Sequence, residues 1–524
     1  MAESGGSRYL IVQPDGGTIR DLFNLLLITD NDSSSSVYTS GAKFLITDDD
    51  THQEEMVGPT ANSVLRDSDH RWVIIVSVIV RKIIRVLGKP MEWTGYLVEF
   101  ILNLLSHNGQ LPGLILNLLK GKVVIPHKGS ETFISAIGHL DGRVDLHNGN
   151  ILTQTRNVLE DSKEGDIQID HQALMDFCMM GSKLAYENVN VIKNIVDHHW
   201  KMHFVEFFNG WNEFEKEAST QVFILCDKPV DANLILISFR GTEPFDADDW
   251  ITDFDYSWYD IPKLGKVHMG FLEALGLGNR TEVSTFKAHL HSRKHNLNGL
   301  EQSSDKKEER VPVMGETTAY YGVRSKLRSL LEEHKKAKFI VTGHSLGGAL
   351  AILFPTVLVL HKEEEMMKRL SGVYTFGQPR VGDRKLGRFM EAHLEHPSPK
   401  YFRVVYCNDL VPRLPYDNKT FLFKHFGFCL YYNNNYIEQE VDEEPNKNYF
   451  GLWYLFPEYL NAMYELVRSL IMPYRYGAEY KEGWPRFLLR VMGLVLPGIS
   501  DHCPTDYVNS IRLGKSKKVQ MQSI

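Results

Sequence analysis

The chain is poor in the features that mark several large protein classes. Its five cysteines (Cys178, Cys226, Cys407, Cys429 and Cys503) are odd in number and scattered, which argues against a disulfide framework and offers no metal-ligand spacing. Cations are not in excess: 58 Lys plus Arg stand against 66 Asp plus Glu, a formal net charge of −8. With no basic stretch laced with aromatics either, nucleic-acid binding has no support. The opening MAESGGSRYL has no basic segment leading into an apolar core, so no secretory leader is expected. Scattered thiols without a leader fit a reducing compartment, where the triplet Asn279-Arg280-Thr281 is a chance glycosylation match. An uninterrupted apolar run of roughly 20 residues, long enough to span a bilayer, is also missing.

What is present divides unevenly. The 524 residues, 43% apolar and 24% charged, suit two or three globular domains, or one with insertions. Residues 1–165 read as an extension. A Ser/Asp-rich stretch, TDNDSSSSVYTSG, precedes a strongly apolar region at 71–126. That region repeats ILNLL at 101–105 and 115–119, carries no formal charge from Phe100 to Leu119, and is broken by Pro112-Gly113. Two short apolar arms about a turn suit a monotopic insertion into one leaflet, with Arg81, Lys82, Arg85, Lys89, Lys120 and Lys122 at the polar level. The alternative is a helical hairpin packed on the rest of the protein; the first reading is preferred.

From about Asp170 strands alternate with helices. HFVEFF, TQVFILCD, LILISFRG, AKFIVTG, GVYTFG and KYFRVVYC read as strands. ALMDFCMMGSKLAYE, YGVRSKLRSLLEEHKK and GGALAILFPTVLVL read as helices. The alternation predicts a mostly parallel sheet covered on both faces. The polar stretch 290–312 is expected to be an exposed, mobile insertion, and residues 516–524 a short basic tail.

Within that frame, Gly343-His344-Ser345-Leu346-Gly347 sits where a strand turns into a helix. A sharp strand-to-helix turn requires glycines at its flanks and holds the serine out of the backbone, and the helix N-terminus aims N–H groups at developing negative charge. Serine needs a base, and the base an orienting acid. For this turn the chain order is serine, acid, histidine, which leaves His425 and His502. His425 lies in FLFKHFGFCLYY, which reads as a strand; His502, in the loop PGISDHCPTDYV, is the expected base. Asp409, ending a strand in RVVYCNDLVPRLP, is the expected acid, with Asp383 the fallback and Asp417 weaker. Asp501 is too close in sequence to orient its neighbour's ring. An oxyanion would meet the Leu346 N–H and a donor from an earlier strand's loop. Thr242 in LILISFRGTEP could supply that donor or cap the strand; sequence mechanics leave the two level. Trp250, Ile251, Phe254 and Trp258 fall on one face of a helix, with Asp248, Asp249, Asp253 and Asp255 as polar positions. A lid over the serine and an ordinary core helix both fit, the lid being preferred.

Six motifs in order, SFRGTEP…DWITDFD, KVHMGFLEA, VTGHSLGGALA, TFGQPRVGD, CNDLVPRLP and DHCPTDYV, resemble the class 3 lipases over about 170–515. The resemblance implies an α/β-hydrolase fold at 166–515, with insertions at about 275–317 and 430–498. It implies a Ser345–Asp409–His502 triad, Thr242 and Leu346 at the oxyanion positions, Gly343 and Gly347 at the elbow, and a lid near 244–261. No metal or cofactor is implied. The N-terminal extension resembles that of plant oil-body lipases, which implies triacylglycerol hydrolysis at the cytosolic side of a lipid droplet. An endoplasmic-reticulum membrane or cytosolic location is the alternative. A phospholipase A1 or galactolipase, and a droplet-coating scaffold without activity, are the competing readings. The aromatic stretch 448–477 departs from the fungal pattern and would either widen an acyl groove or add a membrane contact.

Overall fold

The computed structural model describes residues 9–26, 42–47, 68–147, 167–243, 245–291, 318–415, 422–446, 452–477, 480 and 482–516. Asp417, the Ser/Asp-rich stretch, nearly all of 290–312 and all but the first residue of the basic tail lie outside the described residues. The described strands are β1 (Tyr9–Val12), β2 (Leu45–Thr47), β3 (His203–Asn212), β4 (Glu217–Cys226), β5 (Leu234–Phe239), β6 (Trp258–Ile261) and β7 (Gly265–His268). They continue as β8 (Lys338–His344), β9 (Leu370–Phe376), β10 (Tyr401–Tyr406), β11 (Phe428–Tyr432), β12 (Ile437–Val441) and β13 (Lys515–Ser516).

The unbroken apolar runs become interior strands. Nine strands form one sheet in the order β13-β12-β11-β10-β9-β8-β5-β4-β3. From β5 through β8, β9 and β10 to β11 every neighbour is parallel, while β3, β4 and β5 pair antiparallel. Side chains alternate between two cores, as a two-residue period requires. Val222, Ile224, Ile235, Ile237, Phe339 and Val341 face the helices Ala319–Glu333 and Leu346–Leu360. Phe223, Leu225, Leu234, Leu236 and Ile340 face the helices Ile167–Leu184 and Pro504–Leu513. Burying each such side chain contributes about 1.5–3 kcal/mol, which is why both faces demand hydrophobes. This is the α/β-hydrolase fold.

The N-terminal segment is stitched into it. β1 pairs with β6 through Tyr9–Tyr259 and Leu10–Trp258, completing a second sheet ordered β2-β1-β6-β7. A 40-residue helix, Ser68–His107, follows. Its first turns bury Val73, Ile74, Ile75 and Val78 against Tyr256, Trp258 and Phe423. Arg81, expected at a lipid–water boundary, is instead buried, pairing with Asp255 at 2.7 Å and donating to the Val12 carbonyl at 3.0 Å. Farther along, Ile83, Val86, Leu87, Trp93 and Leu97 are exposed, and the next helix, Gln110–Leu119, buries none of its side chains. The turn between them falls at Gly109 (φ 76°), not at Pro112-Gly113. Pro112 sits in the first turn of the second helix, where a missing N–H has no intrahelical partner to lose. One end of this region is packed on the rest of the protein, and the other presents apolar side chains to solvent. Among the described residues no helix is long and apolar enough to cross a membrane.

The segment after β12 forms the helices Leu452–Tyr476 and Trp484–Met492. They are fastened by buried charge. Arg490 donates to Glu465 at 3.0 Å, to Asp506 at 2.8 Å and to Glu482, and Arg486 pairs with Asp506 and the Ser500 carbonyl. Removing one partner from such a network strands the others in a medium that cannot solvate them. Arg490→Met is expected to lower stability by about 3–5 kcal/mol, read as a fall in the urea unfolding midpoint.

Candidate active site

β8 gives way to the helix Leu346–Leu360 through a single residue, Ser345, at φ 60° and ψ −133°. A serine held there stores on the order of 1–3 kcal/mol of backbone strain. The turn is anchored by the Ser345 N–H to the Phe376 carbonyl and the Gly348 N–H to the Ser345 carbonyl, both at 2.9 Å. Its glycines are required by approach: a Cβ on Gly343 would lie 2.1 Å from the Gly347 carbonyl oxygen, and one on Gly347 2.3 Å from that of Phe239.

His502 sits on the short turn Ser500–His502, immediately before the helix Pro504–Leu513. Its Nε2 is 2.8 Å from Ser345 Oγ, and its Nδ1 is 3.0 and 2.9 Å from the two carboxylate oxygens of Asp409. A carboxylate only accepts, so Nδ1 carries the proton and Nε2 is left to receive the serine hydroxyl. Asp409 is fully buried at the end of β10. The Val411 N–H donates to its Oδ1 at 2.9 Å, and the Tyr507 hydroxyl to its Oδ2.

His344, between Gly343 and Ser345, was not singled out by the sequence. Its Nε2 donates to the His502 carbonyl at 2.9 Å, and its Nδ1 accepts from the Tyr186 hydroxyl at 2.8 Å. Burial lowers its pKa well below the ordinary histidine value, keeping the ring neutral. Tyr507, Tyr186 and His344 are thus the partners that sequence reasoning missed. The motif PTDYV contained Tyr507, but nothing local says that a tyrosine five residues after a histidine meets that histidine's acid.

The other candidates are occupied elsewhere. Asp383 caps the helix Arg384–Leu394, accepting from the N–H groups of Lys385 and Leu386 at 3.0 Å. Asp501 accepts from the Asn408 N–H at 3.0 Å; burial and the Glu465 carboxylate raise its pKa. His425 lies in the loop just before β11 rather than inside a strand, because pairing with β10 begins only at Phe428. Its Nε2 donates to the Pro412 carbonyl at 2.7 Å, and burial lowers its pKa to about 3. Cys407, Glu465 and Asp501 place ligand-type atoms within 4.8 Å of one another. Tyr406 and Arg490 already satisfy Glu465, and burial holds the Cys407 thiol protonated, so the set does not suit a cation.

Thr242, in the loop after β5, is buried, and its hydroxyl is 3.1 Å from Asp253 Oδ2. Leu346 begins its helix, so its N–H has no intrahelical acceptor.

Comparison with known proteins adds the family to this geometry. The lipase (class 3) family profile matches residues 236–419, which include Thr242, Ser345 and Asp409. Triacylglycerol lipase OBL1 of Nicotiana tabacum is 59% identical over 99% of this chain and 97% of its own. The chain belongs to the class 3 lipases. The proteins of the same name from Arabidopsis thaliana and Ricinus communis are 54% and 42% identical, covering 99% and 98% of this chain and 97% of each of theirs.

In this lipase the segment read as an acid-decorated lid helix is built differently. The helix is only Ala247–Asp253. Trp258 is not on it: Trp258 belongs to β6, where pairing with β1 and β7 overrides the helical period. Three of the acids point inward. Asp249 accepts from the Glu243 N–H at 3.0 Å, Asp253 faces Thr242, and Asp255 lies 2.7 Å from both Arg81 and Arg280. Trp250, Ile251 and Phe254 are half-buried, with Phe254 packed on the Leu410–Leu414 cluster. The Ser77 hydroxyl of the long N-terminal helix donates to the Phe254 carbonyl at 2.8 Å. A cleft of about 490 Å³ runs between that helix and the 243–247 segment, lined by Arg85, Tyr96, Glu99, Tyr186 and Phe245.

Burial raises the Asp253 pKa from 3.8 to about 7, with the nearby His502 ring and the Thr242 hydroxyl pulling it back. The folded protein then holds this proton more tightly than the unfolded chain. The corresponding stabilisation is complete below about pH 4 and is lost as pH rises towards about 7. Asp253→Asn keeps an acceptor for Thr242 and has no proton to lose. Its thermal midpoint is expected to vary less with pH over that window than that of the parent.

Proposed function

We propose that this lipase hydrolyses triacylglycerol and partial glycerides with Ser345 as nucleophile, His502 as general base and acid, and Asp409 as the group that orients His502. The observation that carries the reading is the unbroken relay from the Ser345 hydroxyl through both nitrogens of His502 to Asp409. Ser345 Oγ attacks the ester carbonyl carbon while its proton passes to His502 Nε2. Collapse of the tetrahedral intermediate breaks the bond to glycerol oxygen, which takes that proton and leaves as an alcohol. Water, deprotonated by the same nitrogen, then attacks the acyl–serine ester, releasing the fatty acid and restoring Ser345.

The oxyanion is met by the Leu346 N–H and by Thr242. The Thr242 hydroxyl donates to Asp253 Oδ2 at 3.1 Å, which fixes the threonine and leaves its N–H for the oxyanion. His344 acts on position: its donation to the His502 carbonyl holds the turn that carries the base. The exposed apolar faces of Ser68–His107 and Gln110–Leu119 support attachment to a lipid droplet from the cytosolic side, where the substrate lies.

A fluorophosphonate probe is expected to label the protein and to fail on Ser345→Ala; labelling that survives would overturn the nucleophile. Fatty-acid release from triolein emulsion should exceed that from phosphatidylcholine vesicles, and the reverse order would overturn the head-group assignment. Tyr507→Phe removes a hydrogen bond from a charged acceptor, which is worth about 1.5–3 kcal/mol. Its kcat on a soluble ester should fall about tenfold or more with KM nearly unchanged, as steady-state kinetics would record.

A further inference from the structure

The helices Leu452–Tyr476 and Trp484–Met492 are inside out. On the first, Glu458, Glu465 and Arg468 are buried, while Tyr459, Leu460, Met463, Tyr464, Val467 and Ile471 are exposed. Those positions recur every three or four residues, one continuous helical stripe. From 455 to 474 no exposed residue is charged. The second helix repeats the arrangement. Arg486 and Arg490 are buried, Trp484, Leu488, Val491 and Met492 are exposed, and the stripe continues past its end through Val495 and Leu496. No exposed residue from 483 to 500 is charged. The Tyr459 hydroxyl donates to the Val495 carbonyl at 3.2 Å, so the two stripes adjoin and make one ridge.

Neither helix can hide its apolar side by rolling over. Half a turn would carry Glu465, Arg468, Arg486 and Arg490 away from the buried groups with which they pair. The ridge therefore faces outward whatever covers it, and it is far larger than a stray surface hydrophobe. A partner for it need bring no charge. Tyrosine and tryptophan on it, each apolar in body and polar at one end, suit a boundary between acyl chains and water. Its position points the same way, because Val495 and Leu496 lead within seven residues to His502, and Ile499 between them packs, as Phe254 does, on the Leu410–Leu414 cluster. Whatever lies on the ridge lies next to the strap that holds the base.

We infer that this ridge is a lipid-contact face separate from the N-terminal helices, and that it seats on the acylglycerol–water interface from which substrate is drawn. The inference rests on the proposed lipase reading for the identity of that interface. It assigns the insertion after β12 to interfacial docking rather than to widening an acyl groove.

The test uses full-length protein carrying Leu460→Asp, Val467→Asp and Ile471→Asp together, at positions 51%, 57% and 58% exposed. Flotation with a gum-arabic-stabilised triolein emulsion is measured in a Ser345→Ala background, so that hydrolysis does not alter the surface. Hydrolysis of a soluble butyrate ester is measured with Ser345 intact. The three charges are expected to weaken emulsion binding by about tenfold or more and to leave soluble-ester turnover unchanged. Binding equal to that of the parent overturns the inference. So does an equal loss of binding to phosphatidylcholine vesicles, which would make the ridge a bilayer contact. A shift from dimer to monomer in sedimentation with flotation unmoved would assign it to a second copy of the chain. Should the charged variant lose soluble-ester turnover, the neutral set Leu460→Asn, Val467→Thr and Ile471→Thr decides by the same flotation criterion. Failure of the nucleophile assignment would appear only in the labelling and turnover of Ser345→Ala, not in flotation.

Discussion

Asp409 has no contact with water, yet it keeps its value as an acceptor because donors reach it from three directions: the His502 ring, the Val411 N–H and the Tyr507 hydroxyl. Taking a carboxylate out of water costs several kcal/mol unless such donors are in place, and the same demand recurs across this protein. Asp255 is held between Arg81 and Arg280 and stays ionised, its pKa pushed down by both cations against the burial that would raise it. Glu465 is ionised by Arg490 and Arg468 in the same way. Asp253 has only the Thr242 hydroxyl, and one of its oxygens has no hydrogen-bond partner, so its pKa rises to about 7. Between Asp255 and Asp253 the difference is the pair of cations: the acid that has them stays ionised, and the acid that lacks them holds its proton.

That demand ties distant parts of the chain together. Arg81 is contributed by the long N-terminal helix and Arg280 by the loop before the helix Ser284–His291, and both converge on the acid that follows the 247–253 helix. The N-terminal region, with β1 joined to β6, is in this sense a wall of the active-site neighbourhood as well as a bearer of exposed hydrophobes. Its cations cannot all be assigned to a lipid boundary, because one of them completes a buried pair.

Features set by local backbone geometry were readable in advance. Gly343 and Gly347 are needed because other side chains would collide in the elbow, and the order serine, acid, histidine left few choices. Hydrophobic runs located β5, β8, β9 and β10 because both of their faces are covered. What failed to show was decided by partners remote in sequence. Tyr507 meets Asp409 only because the final helix crosses the end of β10, and His344 meets the His502 carbonyl only once that turn is seated. The lid helix was drawn too long, since a period of 3.6 counts apolar positions but does not register that Trp258 has a strand to pair with. His425 was placed in a strand for a related reason, an aromatic run that continues past the true start of β11.

Periodicity has a deeper blindness, which the insertion after β12 exposes. An amphipathic pattern fixes the angular separation of apolar and charged residues, not which side turns inward. For the helix Leu452–Tyr476 the usual assumption, hydrophobes in and charges out, is the wrong one. The choice is made by tertiary electrostatics: Glu465, Glu482 and Asp506 need cations, Arg468, Arg486 and Arg490 supply them from the same two helices, and the pairs can form only in the interior. Burial of an ion network is poor value as stability, because an apolar core of equal volume would do as well or better. Its consequence is orientation. A chain that gives up apolar burial to hold two helices charge-inward leaves a hydrophobic ridge permanently at its surface, beside the turn that carries His502.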